Sequence, residues 1–404
     1  MGKFSIRDLA LTGHRVFVRV DFNVPLDAAS RVTDDTRIRE SLPTIQYALQ
    51  QRARVVLSSH LGRPKGKPNP KMSLRPVAER LATLLGQPVQ FAEDCIGKPA
   101  EQKSQALKEG ELLLLENLRF HIEEEKNDAG FARALAGLVD KLYVNDAFGS
   151  AHRAHASTQG ITRFVERAAA GFLMEKELTY LTKAIASPDR PYVAVLGGAK
   201  VSDKIKVIAN LLRVVDTLIL GGGMAYTFLK AKGIPIGTSL VEDDKLALAG
   251  QLLEEAARRS VQVLLPVDHL VARTLDPAAR TQIVGQREIP DEQMALDIGP
   301  KTVEAFISAL TRAKTILWNG PMGVFEHDAF TQGTLAVARA LAESGATSIV
   351  GGGDSIAAVR KAGVTQRMTH ISTGGGATLE FLGGRKLPGV EALTDLPDPK
   401  TGQS

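Results

Sequence analysis

Four polar segments in the first half of the chain carry residue types suited to binding a small, multiply charged anion. They are Asp21-Phe22-Asn23-Val24-Pro25, Ser59-His60-Leu61-Gly62-Arg63-Pro64, Glu116-Asn117-Leu118-Arg119-Phe120, and Asn145-Asp146-Ala147-Phe148 leading into Ala151-His152-Arg153-Ala154-His155. Arg63, Arg119 and Arg153 fall in three of them, and Arg37 opens the periodic stretch after the first. A guanidinium offers paired N–H donors to a carboxylate or phosphate. Any one of these arginines alone reads as a surface salt-bridge partner; the repeated placement is what favours a shared site. His60, His152 and His155 have no Cys or carboxylate at ligand spacing beside them, so they read as hydrogen-bonding groups, not metal ligands. G-x-S-x-G is absent, which leaves acyl transfer without support.

The second half repeats glycine clusters instead: Gly197-Gly198-Ala199-Lys200, Gly221-Gly222-Gly223-Met224, Gly351-Gly352-Gly353-Asp354-Ser355 and Gly374-Gly375-Gly376-Ala377-Thr378. Glycines between a strand and a helix bring bare backbone N–H groups and a positive helix end up to a phosphate. In Tyr192–Ile205 the pattern turns helical from Ser202, which would set Lys200 and Lys204 one turn apart on one face. From that stretch alone, a tight turn with two solvated lysines reads equally well. The common nucleotide signatures are missing: no G-x-x-x-x-G-K-[ST], no protein-kinase set, and no dinucleotide fingerprint, because Tyr226, Ile356 and Leu379 stand where a small residue is required.

The elements that must position these residues alternate in type. Apolar runs at Arg15–Val20, Ala53–Ser58, Glu111–Leu115 and Lys141–Val144 predict strands; Asp35–Gln51, Leu74–Leu85 and Asn127–Val139 predict helices. Val193–Leu196, Thr217–Leu220, Lys314–Trp318 and Thr347–Val350 continue the rhythm, the third running into Asn319-Gly320-Pro321-Met322-Gly323-Val324-Phe325-Glu326. This alternation predicts an α/β protein: two similar-sized, three-layer α/β/α (Rossmann-like) domains with mainly parallel sheets. The amphipathic stretch Phe172–Ala186 lies between the halves and reads as a hinge helix. The expected division is a first domain over 1–172, a connector over 173–187, and a second domain over 188–387. In such sheets ligands gather beyond the carboxyl ends of the strands, where the polar and glycine-rich segments fall.

At 404 residues the chain is long for one core. A net charge of +5 suits anionic small molecules without requiring nucleic acid, and aromatics at 5% leave little for base stacking. One cysteine, Cys95, excludes an internal disulfide; it reads as a small packing residue and points to a reducing compartment. The N-terminus lacks an apolar signal core, and no apolar run approaches the roughly 20 residues of a spanning helix. The expectation is a cytoplasmic protein with no membrane and no nucleic-acid partner.

Taken together, RVDFNVPL, SSHLGRP, LLENLRF, NDAFGSAHRAHAST, LGGAKVSDK, GGGMAYTFL, WNGPMGVFE, VGGGDS and STGGGATLE resemble the phosphoglycerate kinases, in family order and over nearly the whole chain. The resemblance implies a monomeric, two-lobed, hinge-bending transferase of glycolysis. Its reaction would be reversible, in-line phosphoryl transfer between 1,3-bisphosphoglycerate and MgADP, giving 3-phosphoglycerate and MgATP, with a carboxyl acceptor. It further implies that 388–404 returns to the first domain. By motif, Asp21 and Asn23 resemble the pair on the glycerate hydroxyl and carboxylate, with Phe22, Leu61 and Gly62 alongside. Arg37, His60, Arg63, Arg119 and Arg153 resemble the surrounding basic patch. Lys204 and Asn319 would meet nucleotide phosphates, and Glu326 the ribose. Gly222 and Gly223 would line the adenosine pocket, Gly352 and Gly353 would present backbone N–H groups, Asp354 would orient the magnesium shell, and Ser355 would face phosphate. Arg37 and Lys200 are the implied charges on the moving phosphoryl group.

Overall fold

The computed structural model describes residues 2–397. They form two compact units: one runs through Thr179 and resumes at Lys386, and the other spans Tyr180–Arg385.

The first unit is built on β1 (Arg15–Arg19), β2 (Arg54–Ser58), β3 (Gln90–Phe91), β4 (Leu112–Leu114), β5 (Leu142–Asn145) and β6 (Arg167–Ala170), in the order β3-β4-β2-β1-β5-β6. Every pairing is parallel. Val16, Val18, Val55, Leu57, Leu112 and Leu114 form one buried face with Ile38, Ile45 and Leu81 from the helices Thr36–Gln50 and Arg75–Leu85. A parallel sheet covered on both faces needs continuous apolar strands, which explains the unbroken runs in the sequence. The third expected helix is shorter than its periodic stretch: it spans Ala129–Gly137, because the Asp128 side chain accepts the Phe131 N–H and caps it there. β6 escapes sequence reading because its Arg167-Ala168-Ala169-Ala170 has no β-branched or aromatic residue. Past Lys386, Gly389 N–H donates to Ala151 O and Thr394 N–H to Ala168 O, each at 2.9 Å. The part of the expected returning segment over 398–404 lies outside the described residues.

The second unit carries β7 (Tyr192–Leu196), β8 (Thr217–Leu220), β9 (Gln262–Leu264), β10 (Asp268–Ala272), β11 (Gln282–Gly285), β12 (Met294–Ile298), β13 (Thr315–Asn319), β14 (Thr347–Gly351) and β15 (His370–Ile371). Its main sheet has the order β15-β14-β13-β7-β8-β9, all parallel. An antiparallel sheet β11-β10-β12 is added; its Val271, with Ile289 from the β11–β12 connection, packs with Tyr226, Leu229 and Ile234. In both main sheets the first strand is central, and the chain crosses back over it to continue on the far side. That crossing opens a crevice at the carboxyl ends of β1 and β5 in one unit and of β7 and β13 in the other.

The segment after β7 departs from expectation. The helix begins at Ile205, not Ser202. Ser202 is drawn out of helical geometry because its N–H and hydroxyl donate to the Glu242 carboxylate at 2.9 and 2.6 Å. Lys204 N–H instead bonds Val201 O at 2.9 Å. Lys200 and Lys204 are therefore not one turn apart on one helix face.

Candidate functional site

In the first unit, Asp21 follows β1 and is nearly buried, with Arg37 Nη1 2.8 Å from its Oδ1. Burial works to raise the Asp21 pKa, but His60, Arg37, Arg19 and the Asn23 N–H together hold it down at about 2. Arg37 is thus a partly exposed cation with one of its five N–H donors on Asp21. Asn23 accepts the Gly62 N–H on Oδ1 at 2.9 Å, and Phe22 N–H donates to Ser59 Oγ at 2.8 Å. These bonds join the ends of β1 and β2. Asn117 joins a third: its side chain donates to Leu61 O at 2.7 Å and accepts Leu61 N–H at 3.2 Å. Arg119, also buried, donates to Gly62 O at 2.8 Å and has Glu125 at 3.3 Å.

Arg19, the last residue of β1, lies beneath this surface and is absent from the sequence-level candidates. It follows the apolar run Val16-Phe17-Val18, where a charged residue is ordinarily exposed, yet it is fully buried. Its Nε donates to Ser157 Oγ at 2.8 Å, and its Nη2 lies 3.2 Å from His60 Nδ1. A guanidinium can only donate, so His60 Nδ1 accepts and the neutral ring carries its proton on Nε2. Burial drives the His60 pKa well below its usual range; Asp21 opposes this, while Arg19, Arg119 and Arg37 add to it. Ser157 also donates to Glu124 at 2.6 Å, so a buried carboxylate stands behind the buried arginine. His155, buried near Arg119, Arg19 and Arg153, is held at about 3 by burial and those charges. Arg63 and Arg153 are exposed. Among the described residues Arg63 has no hydrogen-bond or ion-pair partner, and the Arg153 side chain bonds only His152, at 3.2 Å.

In the second unit the strand-end loops are held by backbone. Gly197 N–H donates to Asn319 O, Gly198 N–H to Pro321 O, Gly222 N–H to Met322 O and Met224 N–H to Gly198 O, each at 3.0 Å. A Cβ on Gly222, at φ +67°, would lie 2.6 Å from Gly198 N. Gly222 is therefore required for loop-to-loop packing before any ligand is considered. Gly223 is similar, with Ala199 O 3.0 Å from its Cβ position. Trp318 donates its indole N–H to Gly320 O at 2.8 Å, and Ser355 accepts the Gly320 N–H at 2.6 Å. The Ser355 hydroxyl thus already has a backbone partner. Gly352, at φ +90°, enters the helix Gly353–Lys361, whose first turn carries an exposed Asp354.

Lys204 is buried, and its ammonium donates to Asn319 O at 3.0 Å and to Asn319 Oδ1. Burial lowers its pKa to about 8, against the pull of Asp203 and Asp354. Among the described residues no carboxylate lies within ion-pair distance of it. Asn319 Nδ2 is buried without a partner among the described residues. A buried cation beside an unpartnered amide donor fits a phosphate group. Lys200 and Glu326 are exposed.

Fold and site define an α/β phosphate-handling protein with one charge-rich and one glycine-rich crevice. The family model for phosphoglycerate kinase matches residues 6–385. Relatives named phosphoglycerate kinase include those of Koribacter versatilis, 64% identical over 98% of this chain and 100% of that protein, and Acidobacterium capsulatum, 61% identical over 98% and 100%. The solved phosphoglycerate kinase structure from Coxiella burnetii superposes with a TM-score of 0.89 at 43% identity, covering 97% of this chain and 98% of that one. The chain belongs to the phosphoglycerate kinase family.

Proposed function

We propose that the charged crevice of the first unit binds 3-phosphoglycerate or 1,3-bisphosphoglycerate, and that the glycine-rich crevice of the second binds MgADP or MgATP. The family's reaction is reversible phosphoryl transfer between 1,3-bisphosphoglycerate and MgADP, a glycolytic step with a carboxyl group as acceptor. The nucleophile in either direction is already an anionic oxygen, so no general base is needed. Catalysis then rests on positioning and on neutralising charge at the moving phosphoryl group.

In this reading Asp21 and Asn23 orient the glycerate, with Phe22, Leu61 and Gly62 shaping the floor. His60 donates through Nε2, and Arg63, Arg119 and Arg153 hold the anionic groups. Lys204 and Asn319 take nucleotide phosphates, joined by backbone at Gly352 and Gly353. Glu326 takes the ribose, and Gly222 and Gly223 border the adenosine. Magnesium arrives with the nucleotide, and Asp354 orients its water shell. Ser355 acts through the Gly320 turn it supports. Arg37 and Lys200 supply the charges that strengthen in the transition state, brought into play by hinge bending at Phe172–Ala186. The observation that carries the nucleotide assignment is Lys204, a buried ammonium bonded, among the described residues, only to amide oxygens of Asn319.

We further read the enzyme as a cytoplasmic monomer without membrane or nucleic-acid partners. In support, its single cysteine is buried and free, and among the described residues no helix is long and apolar enough to cross a membrane.

A coupled assay with 3-phosphoglycerate and MgATP on the parent and Lys200→Ala tests the reading. The variant is expected to lose at least ~100-fold in kcat with little change in ADP affinity, the cost of one transition-state donor. Near-normal kcat with weakened ADP binding overturns the assignment.

A further inference from the structure

Asp94 and Cys95 lie between β3 and the helix Gly97–Ala106, and His121 directly follows the turn Leu118–Phe120. One ligand atom from each of the three lies within 4.8 Å of the others. His121 Nε2 is 2.7 Å from Asp94 Oδ1, which also accepts the Cys95 N–H at 2.6 Å. Cys95 is fully buried, whereas the His121 and Asp94 side chains are 26% and 44% exposed, leaving a path for an ion from solvent. We propose that Asp94, Cys95 and His121 form a binding site for a divalent transition cation of the zinc type, with one coordination position left to water.

Thiolate, imidazole and carboxylate together are a zinc donor set. The thiol argues against magnesium or calcium, which prefer oxygen ligands. A thiolate and a carboxylate cancel a 2+ charge, so the occupied site would be neutral in a half-buried setting. Ligand atoms around tetrahedral zinc sit about 3.3–3.8 Å apart. The Asp94–His121 hydrogen bond would therefore open by roughly half an ångström as the sulfur closes in. Burial, with Asp94 and Glu124 nearby, keeps the thiol protonated when no ion is bound. Binding forms the sulfur–metal and nitrogen–metal bonds, and the thiol proton leaves to water on the exposed side. The proton that His121 Nε2 donates to Asp94 is lost from that nitrogen, to water if the ring is doubly protonated or by a shift to Nδ1 if it is neutral. Sequence patterning gives no hint of this grouping, since His121 lies far along the chain from Asp94 and Cys95.

The test uses the full chain without an affinity tag, titrated with Co²⁺ and then with Zn²⁺ in competition. The expected result is saturable one-to-one binding with a sulfur-to-cobalt charge-transfer band that zinc abolishes. Cys95→Ala and His121→Ala should each weaken binding at least tenfold. If Cys95→Ala does not fold, Asp94→Asn joins His121→Ala, both at partly exposed positions. Kinase activity with MgATP, but without added Zn²⁺ or Co²⁺, checks that the variants are folded. Binding without the sulfur band, unchanged affinity in the variants, or no saturable binding overturns the proposal.

Discussion

At the end of β1 stands Asp21, joined to Arg37 by an ion pair and near the buried Arg19 and His60. At the corresponding end of β7 stand Gly197 and Gly198, joined to Asn319 and Pro321 by backbone bonds alone. The two main sheets differ in strand order but both hold their first strand inside the sheet, and they present anions with different chemistry. In the first unit the cations are side chains, and a second layer of Ser157, Glu124 and Asn117 holds them in place. In the second, the loops approach so closely that side chains are excluded, and one buried lysine supplies the charge. A small sugar acid needs its carboxylate, hydroxyl and phosphate distinguished by directed side chains. A nucleotide's phosphates can be held by backbone N–H groups and a single ammonium.

The contrast predicts where each unit is fragile. Gly197→Ala should have the largest effect on stability, because its Cβ would lie 2.0 Å from Pro321 O, a backbone atom that cannot easily move. A loss of roughly 3 kcal/mol in denaturant unfolding is expected. Wild-type stability in this variant would mean that the loops are not held by close backbone packing.

The next effect tests what the units share. Asp146 accepts the Leu173 and Met174 N–H groups at 2.9 and 3.3 Å, and Asp297 accepts the Gly333 N–H at 2.8 Å. Burial raises each carboxyl to about 7 from its ordinary 3.8. The folded chain therefore binds these protons more tightly than the unfolded chain. Their stabilisation is fully present below about pH 4 and is lost as pH rises through 7. Asp146→Asn and Asp297→Asn should each flatten the stability loss between pH 5 and 8 by on the order of 2 kcal/mol. Unfolding series at several pH values decide this, and a response from only one variant would break the parallel. Asp21 has the opposite sign: its stabilisation is lost as pH falls from about 4 toward 2.

The smallest effect on stability should come from Arg63→Ala. Arg63 is exposed and unpartnered among the described residues, so unfolding should shift by less than about 0.5 kcal/mol. KM for 3-phosphoglycerate should nevertheless rise, since the contact would be made in ground and transition state alike. An unchanged KM with a lowered kcat would reverse the assignment.

All eight strands expected from apolar runs are present within a residue or so, because strands buried on both faces must be apolar throughout. The positions of Asp21, His60, Arg119 and Asn319 at or beyond the strand ends were legible for the same reason: the α/β alternation sets the crevice, and polar residues at a strand end fall into it. Arg19 was not legible, since a charged residue at the end of an apolar run is ordinarily exposed. Only the packing of Ser157, Glu124 and His60 around it shows that it is core. The antiparallel sheet β11-β10-β12 was missed, as were the later start of the helix at Ile205 and the meeting of Cys95 with His121. Each depends on partners distant in the chain, as Ser202 depends on Glu242. Local residue order determined which segments become strands and which strand ends carry charge or glycine. Tertiary structure decided which charges are neutralised, which glycines are packed shut, and which buried groups hold their protons, because burial and pairing are properties of neighbours that the chain brings together only by folding.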